Sequence, residues 1–187
     1  EDNMGRLAEL AAQRERQLGR PLLVSGGNSG AVAMVVSGRM PAAVDNLRIG
    51  ETILLGVDVL TREPTLGLHT DAFTVAAPVV ECLVKPSLPR GTSAQDAFGS
   101  SPTFVDRGER RRAICALGRQ DAPPEGLVPV DPGVEVLGAS SDHLILDVEV
   151  LDRPPRLGEA IEFVPNYAAT LQLFTSPYVT KVFTPPA

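Results

Sequence analysis

Two rhythms divide the chain. Over residues 2–18 apolar positions recur at helical spacing: Leu7, Leu10, Ala11 and Leu18 share one face, Asp2 or Asn3 can cap the start, and Gly19 ends the run before Pro21. A short apolar run, Leu22-Leu23-Val24, reads as a strand and breaks at Ser25-Gly26-Gly27-Asn28-Ser29-Gly30. Ala31 to Val36 suits a helix of small residues, punctuated by Gly38 and Pro41. Leu47-Arg48-Ile49-Gly50 predicts a second short strand, followed by Thr52 to Leu55. The opening therefore alternates helix and strand, which is the rhythm of an α/β layer.

From about residue 58 the pattern changes. Alternating or β-branched runs fall at 72–84, 110–117, 134–138, 143–150, 160–164 and 178–183, separated by Pro and Gly turns such as 86–91, 123–126 and Pro154-Pro155. No helical period competes in this half, so it predicts a mostly antiparallel β domain, a barrel or a sandwich. Two strands are too few to close the opening layer. The fold class expected is mixed. Residues 1–58 are the C-terminal remnant of a TIM-type α/β barrel, and residues 59–187 are the β domain.

Composition narrows the function. A net charge of −6 and a pI near 4.9 argue against a nucleic-acid surface. The dense basic run Arg107 to Arg112 includes Glu109 and reads as a solvated hairpin. Charged residues, Gly or Pro interrupt every apolar run before membrane-spanning length. Cys82 and Cys115 sit in apolar strand-like runs and read as buried free thiols, which points to a reducing, cytoplasmic location. His69 and His143 lie far apart without paired ligands, so no metal site is expected. His143 reads as a structural residue at a strand edge. The chain opens at Glu1, directly on a helix and without an initiator methionine, the expected look of a truncated or processed product.

The strongest local signal is the Ser25–Gly30 turn, placed after a strand and before a helix. Glycines there let the backbone approach an anion, the helix start offers unpaired N–H groups, and Ser29 adds a hydroxyl. A plain turn explains it equally well. The second element is Arg48-Ile49-Gly50-Glu51, where an Arg at the end of a barrel strand points toward the face on which barrel enzymes place their sites. A surface Arg in an ion pair is the alternative.

Together the two elements resemble the end of the barrel in the alanine racemase-type family of pyridoxal-phosphate enzymes, which pair an N-terminal barrel with a C-terminal β domain. The resemblance continues in order along the chain. Val84-Lys85-Pro86, Gly91 and Ala97-Phe98-Gly99 are similar to the family's stretch ending in Tyr-Gly. Residues 138–142, followed by His143 and Asp147, look like its Cys-Met-Asp segment, and Asn166-Tyr167 is similar to its late phosphate-binding tyrosine. The runs LRIGETILLG, GLHTDAF, QDAFG, ALGRQD and LGASSDHLILD resemble the branch described as amino-acid or ornithine racemases.

The resemblance implies roles. Asn28 and Ser29 hold the cofactor phosphate, Gly50 and Glu51 add backbone N–H groups, and Tyr167 adds a phenolic O–H. Arg48 sits against the pyridine nitrogen; a guanidinium keeps its proton, so it donates to an unprotonated ring nitrogen. Ser140, Ser141 and Asp142 face the substrate. Phe98 replaces the tyrosine that serves as second base, leaving Asp96, His69 and Asp71 as candidates; polar groups organising a loop are the alternative reading. Ser140 and Ser141 stand where the family has Cys-Met, and either donate to the substrate carboxylate or cap a turn. The cofactor-anchoring lysine belongs to an early barrel strand, which neither Lys85 nor Lys181 resembles, so this chain alone is expected to be inactive. Implied partners are an amino-acid substrate, the missing N-terminal barrel segment and a second copy in a head-to-tail homodimer; nucleic acid and membrane are not expected. Competing expectations are a decarboxylase or aldolase of the same fold, and a non-catalytic β-domain fragment or binding module.

Overall fold

In the computed structural model the described residues are 2–89, 91, 95, 98, 99, 101 and 103–184. They fall into two compact units, 1–72 and 73–187, so the change of rhythm read near residue 58 lies within the first unit.

The first unit opens with helix α1 (Asp2–Leu18). Its Met4, Leu7, Ala8 and Ala11 side are partly buried, whereas Leu10 and Leu18 stand exposed. The turn at Ser29–Ala31 leads into a short helix α2 (Val32–Val36), and a further helix α3 (Glu51–Leu55) starts at Gly50. The two strands expected at 22–24 and 47–50 do not form as strands. Their segments run parallel and meet at one bridge, Ser25 to Asn46, supported by Gly26 N donating to Asn46 O and by Asp45 N and Asn46 N donating to Val24 O. A parallel ladder needs neighbours to extend it, and the described part of this unit contains no third such segment. Val24 is nevertheless buried, as a barrel strand's inward residue would be.

The second unit is built on six antiparallel strands: β1 (Val75–Pro86), β2 (Glu109–Cys115), β3 (Leu127–Pro129), β4 (Glu135–Ala139), β5 (Leu144–Asp147) and β6 (Ala160–Pro165). Their order is β3-β6-β1-β2-β5-β4, and β3 and β4, the two ends of that order, approach each other, so the sheet nearly closes into a barrel. β1 makes the corner. Val75–Pro78 pair with β6, then the register shifts between Val79 and Glu81 and the strand continues along β2. A bulge bends and twists its strand, which is how one strand serves two neighbours. Inward positions alternate as expected: Val79 on β1, Ala113 and Cys115 on β2, Leu144 and Leu146 on β5, and Phe163 on β6 form the core. Burial pushes the Cys115 thiol up to about 12, so it behaves as a small apolar side chain. Cys82 is half-buried, and both thiols are free.

Three expectations for this unit are corrected. No strand forms at 178–183, where Val182 and Phe183 are exposed. A helix, α4 (Tyr167–Thr175), does form in the half that showed no helical period. Asn166 caps it by accepting from Ala169 N at 2.9 Å, while Ala169 and Leu173, four residues apart, pack into the core. The basic run 107–112 is not a solvated hairpin either, because Glu109–Arg112 open strand β2. There Arg110 grips Asp147 across the ladder through two hydrogen bonds of 2.8 and 3.0 Å.

The Asp147 carboxyl is 5% exposed. Burial alone would raise its pKa, but the Arg110 hydrogen bonds, the Glu149 backbone N–H and the charges of Arg110 and Arg107 together hold it below the ordinary value. A depressed carboxyl stabilises the fold above its unfolded pKa and loses that contribution as pH falls through its folded one. Asp147→Asn is therefore expected to lower the urea midpoint most at neutral pH. The gap to the parent should close in acid, below about pH 4. A gap that persists unchanged into acid would show that the pair contributes packing rather than charge.

Candidate functional site

In the first unit the residues flagged in the sequence do converge. Gly27 adopts φ +85°, and a Cβ there would stand 2.8 Å from Leu47 Cδ2 and 2.9 Å from the Ala31 Cβ, so glycine lets the 25–30 turn lie against the 47–50 segment. Asn28 then fixes the turn, its Oδ1 accepting from Gly30 N at 2.9 Å. Ser29 Oγ accepts from Gly50 N at 3.2 Å and Thr52 N at 3.3 Å, so one hydroxyl collects two backbone donors from the start of α3. Arg48 donates through Nη1 to Ser25 Oγ, which also accepts from Asn46 Nδ2 at 3.1 Å. Glu51 pairs with Arg62 through its carboxylate.

His69 and Asp71 are on the surface of the same unit, 91% and 81% exposed, with the imidazole Nδ1 3.8 Å from the carboxylate. The His69 backbone lies against Gly56, whose added Cβ would be 2.2 Å from the His69 carbonyl. Asp96 lies outside the described residues. Thr52 was missed in the sequence. It is 1% exposed, its backbone N–H reaches Ser29, and its Oγ1 is buried with no hydrogen-bond partner. A hydroxyl two residues past Gly50 was its only sequence signal.

The second unit brings a different set together. Phe98, Arg112, Arg119, Ser140 and Ser141 all line one cleft of about 800 Å³, walled on its apolar side by Phe104, Val136, Leu137 and Ile145. The Arg119 guanidinium stands 5.0 Å from the centroid of the Phe98 ring, a cation–π arrangement. Ser140 and Ser141 sit in the β4–β5 turn. Ser140 Oγ accepts from His143 N at 3.1 Å, and Ser140 N donates to His143 O, so Ser140 does cap the turn. Ser141 gives its proton to Asp142 at 2.9 Å. His143 is exposed at the end of that turn, immediately before β5. Tyr167 is the first residue of α4 and is 46% exposed. Lys85 pairs with Glu81 on its own strand, and Lys181 donates to Ser176 O. Among the described residues no cluster of three or more His, Cys, Asp or Glu is arranged to hold a metal.

No family model matches the chain. Two curated proteins are similar to it along most of its length. One is an ornithine racemase from Acetoanaerobium sticklandii, 41% identical over 181 residues that make up 96% of this chain and 51% of that protein. The other is a lysine racemase from Thermotoga maritima, 45% identical over 163 residues, 87% of this chain and 46% of that protein. The chain thus spans about half the length of the curated relatives it matches. Among solved structures, an alanine racemase from Bartonella henselae with covalently bound pyridoxal phosphate superposes with a TM-score of 0.56 at 23% identity, covering 93% of this chain and 46% of that one. A D-threonine aldolase from Filomicrobium marinum gives the same TM-score of 0.56 at 21% identity, over 89% and 39%. The solved structures speak to fold, and the curated relatives to sequence. In both respects this chain is similar to the C-terminal part of the alanine-racemase-type proteins, with the ornithine and lysine racemases as its sequence relatives.

Proposed function

We propose that this chain is the C-terminal part of a pyridoxal-phosphate-dependent amino-acid racemase acting on basic amino acids such as ornithine or lysine. The observation that carries the reading is the convergence of donors on Ser29. A phosphate monoester needs several N–H and O–H groups aimed at one point. The Gly50 and Thr52 N–H groups already point at the Ser29 hydroxyl, which keeps its own proton to give. The buried, unpartnered Thr52 hydroxyl beside them adds a fourth polar group, so the residues present fit a phosphate.

When bound, pyridoxal phosphate supplies a ring that withdraws electrons from the substrate α-carbon. Asn28, Ser29 and the backbone N–H groups of Gly50 and Glu51 would hold the phosphate, and the family resemblance assigns the Tyr167 phenol to it as well. Arg48 would donate to the ring nitrogen without surrendering a proton, and a ring kept a moderate electron sink in this way would suit reversible proton transfer. Ser140 retains a hydroxyl proton for a substrate carboxylate, whereas Ser141 and Asp142 hold each other and shape the turn. Phe98 cannot move a proton, so a second base would have to be another group, with His69, Asp71 and Asp96 as the candidates. The cofactor-anchoring lysine comes from a barrel segment outside this chain, and a second copy completes a head-to-tail dimer. The two free thiols favour a reducing, cytoplasmic setting.

Three measurements test the reading. The protein containing this chain, given L-ornithine or L-lysine, should yield the D-enantiomer on chiral chromatography with total amino acid conserved. Release of carbon dioxide or of an aldehyde instead would favour the decarboxylase or aldolase. In that protein Ser29→Ala should weaken cofactor binding roughly 10- to 100-fold in an absorbance titration. The 187-residue chain incubated with pyridoxal phosphate and borohydride should acquire no stoichiometric label at Lys85 or Lys181. Such a label would defeat the placement of the anchor outside it.

A further inference from the structure

Among the described residues, the cleft of the second unit carries more cationic charge than its own carboxylates match. Its wall holds Arg107, Arg112 and Arg119 beside Glu135 and Asp147. Both carboxylates are already taken. Glu135 accepts from Arg107 at 2.7 Å, and Asp147 is gripped by Arg110, which does not line the cleft. Among the described residues, that leaves Arg112 and Arg119 with no carboxylate in hydrogen-bond range. Arg112 donates through Nη2 to Ser87 O at 2.7 Å, and its Nε is buried without a partner. Arg119 donates through Nε to Ala139 O at 3.2 Å; its nearest carboxylate, Glu125, is 3.8 Å away and 71% exposed, which makes a weak, solvent-screened pair.

From this we infer that the cleft is a binding site for the carboxylate of a small aliphatic acid, with Arg119 as the principal donor and Arg112 supplying the underlying charge. A guanidinium whose Nε is engaged still has Nη hydrogens for a carboxylate oxygen, and partial exclusion of water strengthens the contact. Arg119 is also held in place. Its backbone N donates to Ser140 O at 2.9 Å, and its guanidinium lies over Phe98, so little side-chain freedom is lost on binding. The apolar wall of Phe104, Val136, Leu137 and Ile145 suits a chain of several methylenes attached to that carboxylate. A cation at this site works against a ligand that offers only ammonium groups.

The inference deepens the substrate side of the proposed racemase and rests on that reading for which carboxylic acid is bound in the cell. It is tested on the 187-residue chain by isothermal titration with three probes: L-ornithine, pentanoate, and 1,4-diaminobutane, which lacks a carboxylate. Ornithine and pentanoate should bind and diaminobutane should not. Arg119→Ala should weaken both carboxylates at least tenfold, and Arg119→Lys should recover part of the loss, with far-UV circular dichroism unchanged in both. Equal affinity of parent and Arg119→Ala, binding of diaminobutane as tight as ornithine, or no carboxylate binding at millimolar concentration each overturns the inference. The two readings fail separately. A protein that racemises with an unchanged KM after Arg119→Ala refutes the carboxylate site alone. Intact carboxylate binding in a protein that never racemises refutes the racemase alone.

Discussion

Phe163→Ala is expected to destabilise the β barrel by about 3–5 kcal/mol, the range for truncating an aromatic ring in a closed core. Phe163 is 0% exposed on β6 and is the largest fully buried side chain among the described residues. Its strand pairs with β1 on one side and β3 on the other, so the ring is packed under the middle of three joined strands. Neighbours held by two ladders cannot collapse into the space, and an unfilled cavity adds to the lost burial. Urea unfolding followed by far-UV circular dichroism reads the effect, with Phe183→Ala as the comparison. Phe183 is 82% exposed, and its removal should change stability by about 0.5 kcal/mol or less. Equal costs for the two would place the core elsewhere.

The strands of this barrel were legible because each carries its own alternation. Val79, Ala113 with Cys115, Leu144 with Leu146, and Ile161 with Phe163 all face inward at period two. What escaped was set by contacts across the fold. β3 is three residues long and exists by pairing with β6, not by a pattern of its own. In α4 the burial signal is only Ala169 and Leu173, because the opposite side carries exposed Leu171 and Phe174 where a polar stripe would have marked a helix. Asn166-Tyr167 was read for its tyrosine, and the asparagine turned out to be the helix cap.

The candidate site was legible unevenly for a related reason. Gly27, Asn28, Ser29 and Gly50 were legible because a Gly-rich turn after an apolar run and an Arg-x-Gly segment are short patterns of few residue types, and the fold brings the two together. Arg112 and Thr52 were not, since a strand arginine and a helix threonine look ordinary until burial leaves their polar atoms without partners. The charge imbalance of the cleft was equally hidden. Arg107 to Arg112 resembles a solvated run, and only the pairing of Arg107 with Glu135 and of Arg110 with Asp147 reveals which cation is left over.

Gly118→Ala should damage both stability and binding, because residue 118 is where the turn carrying Arg119 meets the turn carrying Ser140 and Ser141. A Cβ at 118 would stand 2.1 Å from Ser141 O and 2.4 Å from Asp142 N. Both atoms are backbone, so no side-chain rotation relieves the overlap and one turn has to move. The hydrogen bonds from Arg119 N to Ser140 O and from Gln120 N to Ser141 O, at 2.9 and 3.1 Å, would stretch first. The strain then reaches the buried Asp121, which accepts from Ser176 Oγ at 2.7 Å and so ties this turn to the end of α4. An overpacked backbone contact of this kind costs about 3 kcal/mol, toward the upper end for added atoms in a packed site. Gly133→Ala is the matched control, because the nearest atom there is Leu151 Cδ2 at 2.8 Å, the end of a side chain that can turn aside. The expected result is a large drop in urea midpoint and in ornithine affinity for Gly118→Ala and little change in either for Gly133→Ala. If Gly118→Ala lowers the midpoint yet binds ornithine as the parent does, then carboxylate recognition does not depend on how Arg119 is held.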